Sequence, residues 1–485
     1  MNGFLILFLI LLYFGILGII SHFIGKKHSG NAAFFLGNRK SSWYIVALGT
    51  IGPSMSGITF VSVPGMVGKF DMTYMQMVFG FLLGYAFIAF VLLPVYYRWN
   101  VISIYSYLDT RIGKNSYKTG AGFFILSRTI TAAVRLYIAA IILHTYVFDA
   151  WKVPFVVTAT AFLLMIWLYT YKSGIRTIVW TDLLQSFILL TALMIIIWQV
   201  AKGMNVDIPD IVAAVKSSPH SKMFVFDDWH SRQNFFKQFI SGAFVTIAMT
   251  GVDQEMMQKN LSCKNLRDAQ KNVCTGSLLF IPVNFIFLCL GILLINYASL
   301  QQISLPASGD DILPFLLSNG YFGMSAILFF IIGIIAITFA SADSALTGLT
   351  TSVCVDILNI SRLDEKKARK VRISVHFFIS VLFIGIMLLF KAINNTSVID
   401  ALYILVSYTY GPLLGLFAFG ILFKFSTNDR IVPYLCVLSP ALCFIINMIL
   451  RSRFNYQLGY ELLIINALFV MFGLLAFSKN PSSRI

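Results

Sequence analysis

Long apolar runs separated by short charged loops make up almost the whole chain. Each run can cross a bilayer, which takes about 20 residues of helix. The pattern predicts an all-α polytopic membrane protein with about 13 transmembrane helices. They fall at residues 3–24, 43–67, 72–97, 119–147, 153–171, 178–202, 234–258, 273–297, 311–355, 370–392, 397–424, 429–450 and 458–478. The run 311–355 has room for a short separate helix at its start. The first run, Phe4 to Ile24, lacks a basic start and exceeds a signal-peptide core, so it reads as a retained span.

One run breaks its own pattern. Gly52-Pro53-Ser54-Met55-Ser56-Gly57 lies at the middle of the span 43–67. Gly and Ser weaken a helix, and Pro removes a donor and clashes with the preceding turn. The carbonyls freed there cannot face lipid; such backbone is tolerated where it lines a cavity or binds something. The plainer alternative is a Pro kink packed against neighbours. A second interruption is expected from Ser241-Gly242 through Thr250-Gly251. Residues 43–202 and 234–424 each hold five spans and each begin with an interrupted one. Paired interruptions in two halves point to an inverted-repeat transporter with a site at the membrane midplane. The expected organisation is a peripheral span and loop at 1–42, repeats at 43–202 and 234–424 joined by an external loop at 203–233, and two peripheral spans at 425–485.

Composition agrees: 58% hydrophobic, 12% charged, mean hydropathy +0.82. The net charge of +16 implies no nucleic acid, because its Lys and Arg lie in the short loops. With the N-terminus outside and the C-terminus inside, 24 of the 36 Lys and Arg, Lys259 among them, fall on the cytoplasmic side. The expected location is the cytoplasmic membrane of a bacterium, and the protein is expected to work as a monomer. The six cysteines form no CxxC pair or Cys/His cluster, so neither disulfide nor zinc is inferred. There is no HExxH pair and no GxSxG elbow, which argues against an enzyme.

Charged groups within the spans are candidates for chemistry, since each is costly unless paired or functional. Asp182 and Asp343 are such groups, and Ser341 and Ser344 share a helix face beside Asp343. Hydroxyls, carboxylates and freed carbonyls are the hard oxygen ligands a small cation takes. The plainer readings are helix packing for the serines and a helix start for Asp182. Arg128 and Arg135 lie two turns apart on one face; either can hold an anion or pair with a membrane carboxylate. Gln76 is a further candidate polar contact.

Several stretches resemble the sodium:solute symporter family. They are Ser54-Met55-Ser56-Gly57-Ile58-Thr59-Phe60 with Pro64-Gly65, Ser103 to Gly113, Val179-Trp180-Thr181-Asp182, Asp253-Gln254 through Gln258, Ala342-Asp343-Ser344-Ala345-Leu346 and Gly411-Pro412-Leu413-Leu414-Gly415. The resemblance implies a LeuT-type inverted repeat of five plus five helices and Na+ as the coupling ion. It places a main Na+ site at Gly52, Met55, Ile337, Ala340 and Ser341. Ala340 lacks the hydroxyl usual in the family, leaving that set one side-chain ligand short. It places a second Na+ site at Asp182, Asp343 and Ser344, and substrate contacts at Ser54, Ser56, Thr59, Phe244 and Thr246. The arginine of sialic-acid-type members falls at Thr131, about a turn from Arg135. The expected function is sodium-driven symport of a small polar solute: a sugar, sialic acid or other organic anion. The alternatives are a proton-coupled transporter using Asp182 or Asp343, and a channel.

Overall fold

The computed structural model describes residues 3–26, 31–55, 57–171, 174–229, 231–393, 398–454, 456 and 458–479. It is almost entirely helical. Among the described residues, nine helices are long and apolar enough to span a membrane. Two bent pairs also pass that test together, and two shorter apolar helices, Phe155–Thr170 and Glu461–Ala476, complete the set. The run at 311–355 divides into Ile312–Ser318 and Met324–Ser352. The latter is the central helix: 72% of its apolar window is buried, against 22% for Asp429–Arg453 at the periphery. The peripheral helices turn Phe377, Phe378, Tyr434 and Val437 outward, an apolar surface suited to lipid rather than water.

The first bent pair is Trp43–Ser54 with Thr59–Phe70, at 60°. The helical ladder closes at Met55 N–H to Ile51 O, and Met55 then turns extended (φ −83°, ψ 129°). Met55, just after the Gly52-Pro53-Ser54 turn of helix, is therefore the place where one helix becomes two. The second pair is Phe235–Gly251 with Gln254–Leu261, at 69°. Its break lies later than the glycine-serine pattern suggests. Ser241 and Gly242 are in regular helix, Phe235–Thr246. The chain turns at Val252 (ψ 18°) and Asp253 (ψ 121°), and the Asp253 carboxylate caps the new helix by accepting from Met256 N–H at 3.1 Å.

Gly242 has a different role. A Cβ there would stand 2.3 Å from Met77 O, and one at Gly80 would stand 2.0 Å from Phe239 O. Both glycines let Tyr74–Phe87 and Phe235–Thr246 approach backbone to backbone, as small residues do between membrane helices. Met324–Ser352 packs on both bent elements, against Ile51–Ser54 of the first and Gln254–Leu261 of the second.

The segment 203–233 carries one helix, Ile208–Lys216, and then folds over the start of Tyr74–Phe87. Met72 N–H donates to Lys222 O at 3.0 Å. Phe224 stacks on Phe79, with centroids 6.0 Å apart and planes 11° apart.

Candidate functional site

Both breaks open onto one cavity of about 120 Å³. Four of the expected substrate contacts line it: Ser54 and Thr59 from the first broken helix, Thr246 from the second and Arg135 from Lys114–Leu143. Tyr85 lines the cavity beside both breaks, together with Ser54 of the first and Thr250 of the second. Ser56 lies outside the described residues. A smaller cavity shares Ser54, Tyr85 and Thr250 and runs on toward Asn260, Asn272 and Ser277.

Two expected contacts are elsewhere. Gln76 is fully buried and its amide serves the 203–233 segment: Nε2 donates to Gln233 O at 2.8 Å, and Oε1 accepts from Val225 N–H at 2.9 Å. It anchors a loop and does not line the cavity. Phe244 points into a separate apolar cavity shared with Leu414 and Met471. It lies two residues before Thr246, so the helical turn carries it to the other face.

Around the expected main cation position, Gly52 is pressed against Ile175–Gly203. Its N–H donates to Ser186 Oγ at 2.9 Å, and Ser186 Oγ donates on to Gly49 O at 3.2 Å. The break therefore leans on a side chain rather than on the ladder it left. Across from it, the Met324–Ser352 helix brings Ile337, Ala340 and Ser341, all buried. Thr338 lies beside them. Its hydroxyl is buried without a hydrogen-bond partner among the described residues, and a Cβ on Gly57 would stand 2.9 Å from it. Buried hydroxyls are normally bonded, so an orphan beside the break, among hard oxygen donors, suits a small hard cation. Ser341 Oγ also lies 3.5 Å from Arg135 Nη1. Ser341, expected at the cation position, and the cavity are thus neighbours through one arginine.

Arg128 also lines the cavity, and here the paired reading holds. It bonds Glu255, and its Nη1 stands 3.9 Å from Asp253 Oδ2, which accepts from Tyr410 OH at 2.6 Å. All these groups are buried.

Asp182, Asp343 and Ser344 come together, as do groups that the sequence did not point to. Asp182 lies two turns inside Ile175–Gly203, not at a helix start, and is 1% exposed. Its Oδ2 takes the Lys259 Nζ at 2.7 Å. Lys259 is itself 1% exposed, not a loop charge. Asp343 accepts from Tyr169 OH at 2.7 Å and from Ser344 Oγ at 3.2 Å. The signal for Lys259 was its spacing from Glu255: two charges four residues apart after a break share one helix face.

The profile of the sodium:solute symporter family matches residues 34–429. The sodium-coupled monocarboxylate transporter 1 of Xenopus laevis is 24% identical over 440 residues, covering 87% of this chain and 68% of that protein. The human sodium/iodide cotransporter is 24% identical over 419 residues, covering 83% and 63%. A substrate-bound, outward-open Na+-coupled sialic acid symporter has the same fold, with a TM-score of 0.82 at 19% identity and 99% of both chains covered. A nucleobase-cation-symport-1 transporter aligns with a TM-score of 0.60 at 10% identity, covering 92% and 93%. The helical architecture is accordingly of the LeuT type, and these relatives are transporters rather than enzymes. With the family profile covering most of its length, the chain belongs to the sodium:solute symporter family, with Na+ as its coupling ion.

Proposed function

We propose that the protein couples the sodium gradient to uptake of a small organic anion, a carboxylate in particular. The observation that carries this reading is Arg135, which lines the cavity with Ser54 and Thr59 while standing 3.5 Å from Ser341 Oγ. An arginine beside a sodium position repels the ion. An anion placed between them attracts both, so substrate and sodium each favour the other's binding, and that mutual preference is what coupling requires. Sodium would be held by the Gly52, Met55 and Ile337 carbonyls and the Ser341 hydroxyl. The Thr338 hydroxyl stands in for the one Ala340 lacks. The relatives named above for monocarboxylates, iodide and sialic acid support an anionic cargo.

The repeats 43–202 and 234–424 would rock about this site. The 203–233 segment closes one mouth, and the passage past Asn260 and Asn272 leads to the side that the Lys and Arg distribution marks as cytoplasmic. The test is a thermal-shift screen of purified protein against monocarboxylates, sialic acid, iodide and neutral sugars, with and without sodium. A carboxylate should stabilise only when sodium is present. Stabilisation by neutral sugars alone would overturn the anionic reading. Uptake driven by a pH gradient in sodium-free vesicles would replace sodium with the proton.

A further inference from the structure

The place expected for a second sodium already holds a positive charge. Lys259 Nζ lies 2.7 Å from Asp182 Oδ2, and both side chains are 1% exposed. The neighbouring carboxylate, Asp343, is served by two hydroxyl donors, Tyr169 and Ser344. Asp182 Oδ1 is buried with no hydrogen-bond partner among the described residues. A sodium on that oxygen would share one carboxylate with the ammonium, and two like charges held that close in a protein interior repel.

We infer that Lys259 is a tethered replacement for a second sodium ion, held by Asp182 next to Asp343 and Ser344, so that this transporter runs on one sodium. The inference rests on the sodium-driven reading above and adds the stoichiometry of its site. It also gives the cation an address. Lys259 rides on Gln254–Leu261, the short helix after the second break, and Glu255, one turn earlier on that helix, bonds Arg128 at the cavity wall. A diffusible ion leaves in each cycle. A lysine stays and moves only as far as this helix moves, so one positive charge fewer crosses the membrane per solute.

The experiment counts radioactive sodium bound to the purified full chain at saturation, beside the Hill coefficient for sodium in the thermal shift. Wild type should bind one sodium with a coefficient near one. Lys259→Met, which leaves Asp182 bare, should bind a second sodium with a coefficient above one. Ser341→Ala should weaken the first sodium in both backgrounds. Two sodium ions on wild type overturn the inference, as does a folded Lys259→Met protein that still binds only one. If Lys259→Met does not fold, the wild-type count decides alone. No sodium on wild type would instead sink the sodium-driven reading itself.

Discussion

Glu255 and Lys259 lie one turn apart on the same short helix, and they pair with different helices, Glu255 with Arg128 of Lys114–Leu143 and Lys259 with Asp182 of Ile175–Gly203. The helix Gln254–Leu261 is thereby clamped at two points by buried ion pairs. Breaking a buried pair by removing one partner strands the other charge and is costly, by about 3–5 kcal/mol. Glu255→Gln leaves Arg128 facing only Asp253, 3.9 Å away. Its unfolding midpoint in detergent should fall sharply. The double variant Arg128→Met/Glu255→Leu, which removes both charges, should recover most of the loss. If the double variant is no more stable than Glu255→Gln, the pair is not the cause.

Arg135 separates substrate binding from sodium binding. In Arg135→Gln a carboxylate loses a charge-assisted partner that contributes about 1.5–3 kcal/mol, or roughly ten- to a hundredfold in affinity. Sodium measured without substrate should bind at least as tightly as in wild type, because the repulsion near Ser341 is gone. Titration of each ligand separately reads both effects. A variant with unchanged substrate affinity would remove Arg135 from the site.

The hydroxyl count at the main sodium position is open to direct change. Thr338→Val keeps the shape and removes the orphan oxygen, so sodium affinity should fall about tenfold, the worth of one good oxygen contact. Ala340→Ser should raise it by restoring the hydroxyl usual in the family. The two changes combined should return affinity toward the wild-type value. The sodium concentration giving half-maximal thermal stabilisation checks all three. An unaltered midpoint in Thr338→Val would return Thr338 to a packing role.

Several of these features are legible in the sequence because they violate a simple pattern. Gly52-Pro53 contradicts a spanning helix, and Asp182 and Asp343 contradict an apolar one. What could not be read is anything decided by where a segment lands. Lys259 ends an apolar run and so resembles a loop charge; only the 69° turn at Asp253 swings it into the interior. Gly242 resembles a helix breaker, yet its missing Cβ serves a close crossing with Met77. Phe244 and Thr246 look equivalent in sequence, but the helix sends them to different cavities. Single-residue chemistry survives translation into sequence, whereas facing direction depends on the neighbours.

Gln76 tests that distinction. As a polar residue within a span it resembles a substrate contact, but both ends of its amide are consumed by Val225 and Gln233, about 150 residues along the chain. Gln76→Leu preserves bulk and leaves a buried N–H and a carbonyl without their partner, a penalty of about 1–3 kcal/mol per group. The segment from Lys222 to Gln233 should then detach more readily from the start of Tyr74–Phe87. Limited proteolysis of the purified variant should cut within that segment faster than in wild type. Substrate affinity measured in detergent, where mouth closure is not required, should stay within about twofold of wild type, since the side chain lies outside the cavity. A large loss of affinity with unchanged proteolysis would put Gln76 back among the cargo contacts.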